Sequence, residues 1–142
     1  MKASEVMTKP PIRHCREETP VREAAKMMAD NDVGSVAVCD SRDRLVGMVT
    51  DRDICCRVVA KGGACDTPVR QIMSTNVQSV LPDAEVRRVE SLMQSKKIRR
   101  VPVVDGGRHV QGFISLSDIA HHCKGMKQEH ELMQVLEKIC SP

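Results

Sequence analysis

The feature that most constrains the fold of this chain is an internal repeat. A shift of 65 positions aligns residues 21–54 with residues 86–119 without a gap and carries Asp53 onto Asp118. Just upstream, the segments "EVMTKPP" (5–11) and "QIMSTNV" (71–77) correspond after a shift of 66 positions. One copy is too short to close its own hydrophobic core, so we expect the pair of copies to be the folding unit.

Each copy has the pattern of a β-α-β-β-α unit. Apolar residues at helical spacing predict the first helix of each copy, with Thr19 and Asp83 as its N-cap residues. Two short apolar runs separated by a polar turn predict a hairpin, and a second helix begins where that hairpin ends. The predicted elements are extended segments at 12–15 and 77–80, helices at 21–30 and 86–95, strands at 35–40, 45–50, 100–105 and 110–115, and helices at 51–61, 116–123 and 127–139.

These elements predict an α+β fold made of tandem repeats and a short C-terminal helix. The first repeat is placed at 1–62, a Gly- and Pro-containing linker at 63–70, the second repeat at 71–125 and the C-terminal helix at 126–142.

Composition excludes several classes of function. Phe113 is the only aromatic residue, which argues against a nucleic-acid binder that stacks bases on aromatic rings. The net charge of +3 gives no global attraction for a polyanion. No apolar run is long enough to span a membrane, and the N-terminus lacks the apolar segment of a signal peptide, so we expect a cytoplasmic protein.

Each predicted hairpin ends in a hydroxyl residue followed three positions later by an aspartate, Thr50 with Asp53 and Ser115 with Asp118. One interpretation is a helix cap, in which the hydroxyl and the carboxylate bind amides of the first turn. The other is a ligand site. The helix start and the hydroxyl would bind a phosphate, and the carboxylate would accept hydrogen bonds from a ribose diol. The same residues can cap the helix and bind a ligand.

The repeat, the "VMT" and "IMS" lead-ins, and the segments "RRVPVVD", "GMVTDRDI" and "GFISLSDI" resemble a cystathionine-β-synthase (CBS) domain pair, also called a Bateman module. The resemblance covers residues 3–123, and the chain as a whole is similar to small stand-alone bacterial CBS-pair proteins. It implies repeats packed about a pseudo-twofold axis, a homodimer, and no catalytic activity. It also implies reversible binding of an adenine nucleotide (AMP, ADP, ATP or NAD(H)) in clefts between the repeats, for energy sensing and signalling to an unknown downstream protein.

The resemblance assigns roles to further residues. Arg99 and Arg100 of the second copy stand where family members place basic side chains near nucleotide phosphates, and a solvated charge pair is an equal alternative for them. In the first copy, the position of Arg52 between Thr50 and Asp53 indicates a bidentate contact with phosphate oxygens. Pro10 and Pro11 lack amide donors, which weakens the expected adenine contact of the first copy. The apolar residues expected to line the adenine slots are Ile12, Val36, Val77, Val80 and Pro102.

The seven cysteines form no C-x-x-C pair, so we expect no zinc motif, and the adjacent residues of "HHC" (121–123) point in different directions on a helix. Cys15 and Cys39 end neighbouring extended segments and are either a disulfide or two small buried side chains. The alternative function is therefore a structural or redox-responsive dimeric module with degenerate nucleotide pockets. No nucleophile–base arrangement indicates an enzyme.

Overall fold

Two β-hairpins, one in each repeat, organise the fold. The computed structural model describes residues 1–122 and 126–141, so Cys123 of the predicted "HHC" segment, Lys124, Gly125 and Pro142 lie outside the described residues. The elements are α1 (Ala3–Val6), β1 (His14–Arg16), α2 (Val21–Asn31), β2 (Ser35–Cys39), β3 (Leu45–Thr50), α3 (Asp51–Arg57), 3₁₀ turns at Val59–Lys61 and Val69–Gln71, α4 (Val86–Lys96), β4 (Arg100–Val104), β5 (Val110–Ser115), α5 (Leu116–His122) and α6 (Met126–Cys140). The predicted α+β fold class is confirmed.

The chain forms two compact units whose boundaries differ from those of the sequence repeats. Residues 13–77 form one, which we call the first-repeat unit, and residues 1–12 together with 78–142 form the other, the second-repeat unit. The boundaries differ because the lead-in segments pair through their main chains with the hairpin of the other copy. Thr8 donates its amide to the carbonyl of Phe113 on β5, and Met48 on β3 exchanges hydrogen bonds with Ser74. The lead-in of each copy therefore belongs with the hairpin of the other copy.

In the first-repeat unit, β1, β2 and β3 form one sheet in that order, with β1 parallel to β2 and β2 antiparallel to β3. Alternate residues of the sheet face a core that is closed by α2 and by the 3₁₀ turn at Val69–Gln71. Its buried residues are Cys15, Val21, Ala24, Met28, Val36, Val38, Val49, Val58, Val69 and Ile72.

In the second-repeat unit, β4 and β5 form the antiparallel hairpin, and the predicted extended segment at 77–80 contributes a single parallel bridge from Val80 to Val103. Helices α1, α4, α5 and α6 supply the rest of the core. Its buried residues are Ala3, Val6, Val80, Val86, Val89, Met93, Val101, Val103, Ile114, Ile119, Val135 and Ile139. The C-terminal helix therefore packs on the body of this unit.

The predicted side-chain caps of α2 and α4 are wrong. The hydroxyl of Thr19 accepts a hydrogen bond from the amide of Arg16, and neither helix has a side-chain cap. Main-chain carbonyls bind the first-turn amides instead, since Val21 donates to Thr67 and Val86 donates to Met1. Connecting segments that pack against a helix start remove the need for a capping side chain.

Candidate functional site

The corner between β3 and α3 is built by the Thr50–Asp53 motif. The Asp53 amide donates to Thr50 Oγ1 at 3.0 Å, and the Thr50 amide donates to Asp53 Oδ2 at 2.9 Å. These reciprocal bonds form a capping box. Asp53 Oδ1 lies 3.8 Å from Nε of Arg57, whose Nη1 donates to the carbonyl of Ile72. The capping interpretation therefore holds at this corner, and one carboxylate oxygen faces a guanidinium.

The corner between β5 and α5 repeats this geometry. The Ser115 amide and hydroxyl donate to Asp118 Oδ2 at 2.7 and 2.6 Å, and the Asp118 amide donates to Ser115 Oγ at 3.2 Å. Ser115 Oγ also lies 2.8 Å from Ser117 Oγ. Each oxygen of a carboxylate has two lone pairs. Capping through Oδ2 thus leaves Oδ1 of Asp118 as an acceptor for a ligand.

The basic side chains predicted for the phosphates lie at different places in the two units. Arg100 is the direct cross-strand partner of Ser115, and its Cζ lies 5.8 Å from the centroid of the Phe113 ring. Directly opposed residues of an antiparallel pair point to the same face of the sheet. Arg99 is exposed, and its carbonyl accepts from the amide of Leu116 at the start of α5. The Arg100 side chain therefore lies on the same face of the hairpin as Ser115, and the main chain of Arg99 reaches the start of α5.

The first-repeat corner carries a more balanced set of charges. Arg52 is exposed in the first turn of α3, but Asp51 occupies the same turn. Ser35, which matches Arg100, is the cross-strand partner of Thr50. The sequence interpretation did not include Arg57, although its spacing of four residues from Asp53 is the usual spacing of a helical ion pair.

The predicted adenine-lining residues separate into two groups. Ile12 and Val77 are half-buried, and they belong to the units of the Ser115 and Thr50 corners, respectively. Val36 and Val80 lie in the two cores with exposures of 4% and 5%, and Pro102 is buried opposite Phe113. Strand alternation and main-chain pairing thus place Val36, Val80 and Pro102 among the buried residues, whereas Ile12 and Val77 are partly accessible.

Of the two alternatives for Cys15 and Cys39, the structure has two small buried side chains, and both thiols are free. Cys15 is paired with Val38 and Arg16 with Cys39 across the parallel strands β1 and β2. Neighbouring residues of a strand point to opposite faces, so the two thiols lie on opposite faces of the sheet. Burial raises the pKa of Cys15 and of Cys39 to about 11. Both are small buried side chains and are protonated at neutral pH.

Alkylation should distinguish these two thiols from the exposed ones. We expect iodoacetamide at pH 8 to modify Cys55, Cys56, Cys65 and Cys140 rapidly, and Cys15 and Cys39 only after unfolding, because the thiolate is the reactive form. Peptide mass spectrometry after timed labelling measures the difference. A cross-linked Cys15–Cys39 peptide, or equal labelling rates, would contradict this prediction.

The raised pKa values also predict how the free energy of unfolding depends on pH. In the folded protein the thiols of Cys15 and Cys39 stay protonated up to about pH 11, whereas ordinary thiols ionise near 9.0. The free energy of unfolding should therefore fall as the pH rises between these two values.

The chain belongs to the CBS domain family. The sequence profile of the CBS domain matches residues 3–59 and 69–125, which correspond to the two repeats. CBS-pair proteins are generally regulatory modules without catalytic activity.

Three relatives place the chain within this family. It is 33% identical over 127 residues to Hypoxic response protein 1 of Mycobacterium tuberculosis, covering 89% of this chain and 85% of the relative. A crystal structure of Hypoxic Response Protein I with two coordinated zinc ions superposes with a TM-score of 0.80 and 28% identity, covering 87% of this chain and 100% of that one.

The other two relatives were solved with adenosine-containing ligands. The CBS domain protein PAE2072 of Pyrobaculum aerophilum, complexed with AMP, gives a TM-score of 0.80 and 29% identity over 94% of this chain and 99% of its own. The CBS domain pair of protein MJ0100, in complex with 5'-methylthioadenosine and S-adenosyl-L-methionine, gives 0.77 and 29% over 85% and 94%.

Two further features bear on function. Within residues 1–122 and 126–141, no group of three or more His, Cys, Asp or Glu side chains is arranged to hold a metal ion. Over the same residues, every helix falls short of the length and apolar character that crossing a membrane requires.

Proposed function

We propose that this protein is a non-catalytic regulatory module that binds an adenine nucleotide. The observation that carries the proposal is the pair of matched corners in a chain related at 29% identity to a CBS protein complexed with AMP. Each corner brings a hydroxyl, helix-start amides and a carboxylate together, and these are the groups that a ribose phosphate needs.

The Ser115–Asp118 corner is the stronger of the two candidates. Arg99 and Arg100 add two positive charges there, and a guanidinium binds phosphate oxygens in a bidentate manner. Asp118 Oδ1 then accepts from the ribose hydroxyls, and the half-buried Ile12 of the same unit contacts the base. The Thr50–Asp53 corner, with Arg52 and Val77, is the second candidate, but Arg57 already lies beside Asp53 Oδ1.

The wider proposal is a cytoplasmic homodimer that reports ligand binding through a change in dimer geometry to an unidentified downstream protein. AMP, ADP, ATP and NAD(H) are the proposed ligands. S-Adenosylmethionine belongs in the same binding panel, because a relative was solved with it. Sedimentation velocity with and without ligand tests the dimer and its change in shape.

Isothermal titration calorimetry with this panel tests the nucleotide site. We expect saturable binding of at least one adenine nucleotide, reduced at least about tenfold in Asp118→Asn, because the amide removes the charge-assisted acceptor. The asparagine oxygen can still accept from the Ser115 amide, so the cap is kept and the variant should fold. Asp66→Asn is a matched control, since it removes one exposed carboxylate from a different part of the chain.

Two results would overturn this proposal. One is the absence of heat for every ligand of the panel at millimolar concentration. The other is unchanged affinity in Asp118→Asn, Asp53→Asn and the double variant. The first result would favour a structural module whose two aspartates serve only as caps, which the capping geometry of both corners already allows. The second would place the bound nucleotide away from both corners.

A further inference from the structure

The second-repeat unit contains a pocket of about 290 Å³ whose lining residues include neither Ser115 nor Asp118. It lies among α1, α4, α5 and α6, and its apolar wall is formed by Val6, Val86 and Ile119, whose exposures are 2–7%. Pockets that bind small ligands are mostly apolar and carry a few well-placed polar groups. The volume is at the small end of the range of such sites, which limits the ligand to a small metabolite.

The same pocket is lined by charges of both signs. Glu90 of α4 and Glu131 of α6 supply two carboxylates, while Arg87 of α4 and Lys127 of α6 supply two cations. Glu85 and the N-terminal ammonium group of Met1 also line the pocket and pair with each other at 3.4 Å. Ion pairing among the four side chains of α4 and α6 is incomplete, since the contact between Arg87 Nη2 and Glu131 Oε1 is at the 4.0 Å limit of an ion pair. An exposed pair at this distance contributes little and is readily exchanged for a ligand.

The depth of these groups differs. Glu90 is half-buried, and burial followed by the neighbouring charge of Glu131 raises the pKa of its carboxyl. Arg87 and Lys127 are exposed at the rim. A desolvated carboxylate beside a second one favours a cationic partner, because the partner compensates both the burial and the like charge. The pocket therefore offers an inner site for a cation, an outer site for an anion and an apolar wall.

We propose that this pocket binds an aliphatic α-amino acid as its zwitterion. The ammonium group is bound by Glu90 and Glu131, the carboxylate by Arg87 and Lys127, and the side chain packs on Val6, Val86 and Ile119. Such a ligand bridges α4 and α6 and holds the C-terminal helix on its unit. The inference does not depend on nucleotide binding, because it uses none of the residues of the Ser115–Asp118 or Thr50–Asp53 corners.

Calorimetry on the full chain with L-leucine and two analogues tests the proposal. 4-Methylpentanoate keeps the side chain and the carboxylate but lacks the ammonium group, and 3-methylbutylamine lacks the carboxylate. We expect saturable heat with L-leucine and at least about tenfold weaker binding of each analogue, since each loses one set of charge-assisted bonds.

Variants of the lining residues complete the test. Glu90→Gln should weaken L-leucine binding at least about tenfold, because the ammonium group loses a charged acceptor. The fold should be kept, because the substitution removes a carboxylate that is costly to bury. Glu137→Gln on the exposed face of α6 is the control and should bind as the parent does. The proposal is overturned if L-leucine gives no saturable heat, if Glu90→Gln binds it unchanged, or if 3-methylbutylamine binds equally well. Asp118→Asn should retain L-leucine binding, which separates this site from the nucleotide site.

Discussion

Gly112→Ala is expected to lower the free energy of unfolding by about 2–3 kcal/mol, as overpacking a close contact does. A Cβ atom at this position of β5 would lie 2.6 Å from the carbonyl oxygen of Thr8 and 2.7 Å from the sulfur of Met7. The Thr8 oxygen is main chain, and the Thr8 amide is bonded to Phe113 at 2.8 Å. The lead-in cannot give way without straining that bond, so the substitution should loosen the contact of Met7 and Thr8 with β5.

Alanine substitutions at two other glycines, Gly47 and Gly106, provide a comparison for Gly112→Ala. A Cβ at Gly47 would meet the sulfur of Met73 at 2.5 Å and the Ser74 oxygen at 3.0 Å, and the methionine side chain can move. Gly106 has no atom within 4 Å of the added Cβ and should tolerate alanine with a change of at most about 0.5 kcal/mol. Urea unfolding followed by circular dichroism should give losses in the order Gly112, Gly47, Gly106. Equal losses at Gly112 and Gly106 would contradict the close packing of the lead-in.

The repeat and its periodicity were sufficient to predict the hairpins. β3 and β5 have the predicted bounds, 45–50 and 110–115, because a buried apolar run that ends in a hydroxyl–x–x–Asp motif marks both ends of the strand. The position of α6 over 126–140 follows in the same way from apolar residues at helical spacing. These predictions depend on local sequence patterns, and the structure contains the corresponding elements.

The features that could not be predicted depend on distant main-chain pairing. The bridge from Thr8 to Phe113 joins residues far apart in the chain and leaves no periodicity in the sequence. Matched glycines at 47 and 112 were visible as an identity between the copies, but the reason for them is the lead-in that each one admits. The faces of Cys15 and Cys39 depend on the register of β1 on β2, which no residue type specifies. The first-turn amides of α2 are bound by the carbonyls of Cys65 and Thr67, so propensity gave the wrong cap.

The candidate site also has features that the sequence predicts and features that depend on distant main-chain pairing. The hydroxyl and the aspartate of each corner were identified from three-residue spacing, and the structure joins them by the reciprocal bonds of a cap. The contact of Arg100 with Phe113 required the cross-strand register of β4 and β5. Three of the five apolar residues assigned by resemblance, Val36, Val80 and Pro102, are buried, and their burial depends on strand pairing that the sequence alone does not show.

The two copies also differ in how firmly the helix after the motif is held, and a pair of substitutions should reveal this. Ile54 and Ile119 occupy the same place, directly after Asp53 and Asp118, but Ile119 is 2% exposed whereas Ile54 is only partly buried. In the second-repeat unit, α6 adds Leu132, Val135 and Ile139 to the cluster that contains Ile119. Ile119→Ala should therefore cost about 3–4 kcal/mol, and Ile54→Ala about 1 kcal/mol, because the loss grows with the cavity that is left.

Urea unfolding of both variants measures this difference, and Val135→Ala is the matched test of its cause. Removing two methyl groups from α6 should also destabilise the chain, by about 1–3 kcal/mol, because Val135 is 1% exposed within the same cluster. Equal losses for Ile54→Ala and Ile119→Ala would mean that α6 does not add to the burial of α5. A large loss at Ile119 with none at Val135 would place the support for α5 on α1 and α4 alone. The expected pattern, large at Ile119 and substantial at Val135, makes the C-terminal helix the reason why the helix after the motif is held more firmly in the second repeat.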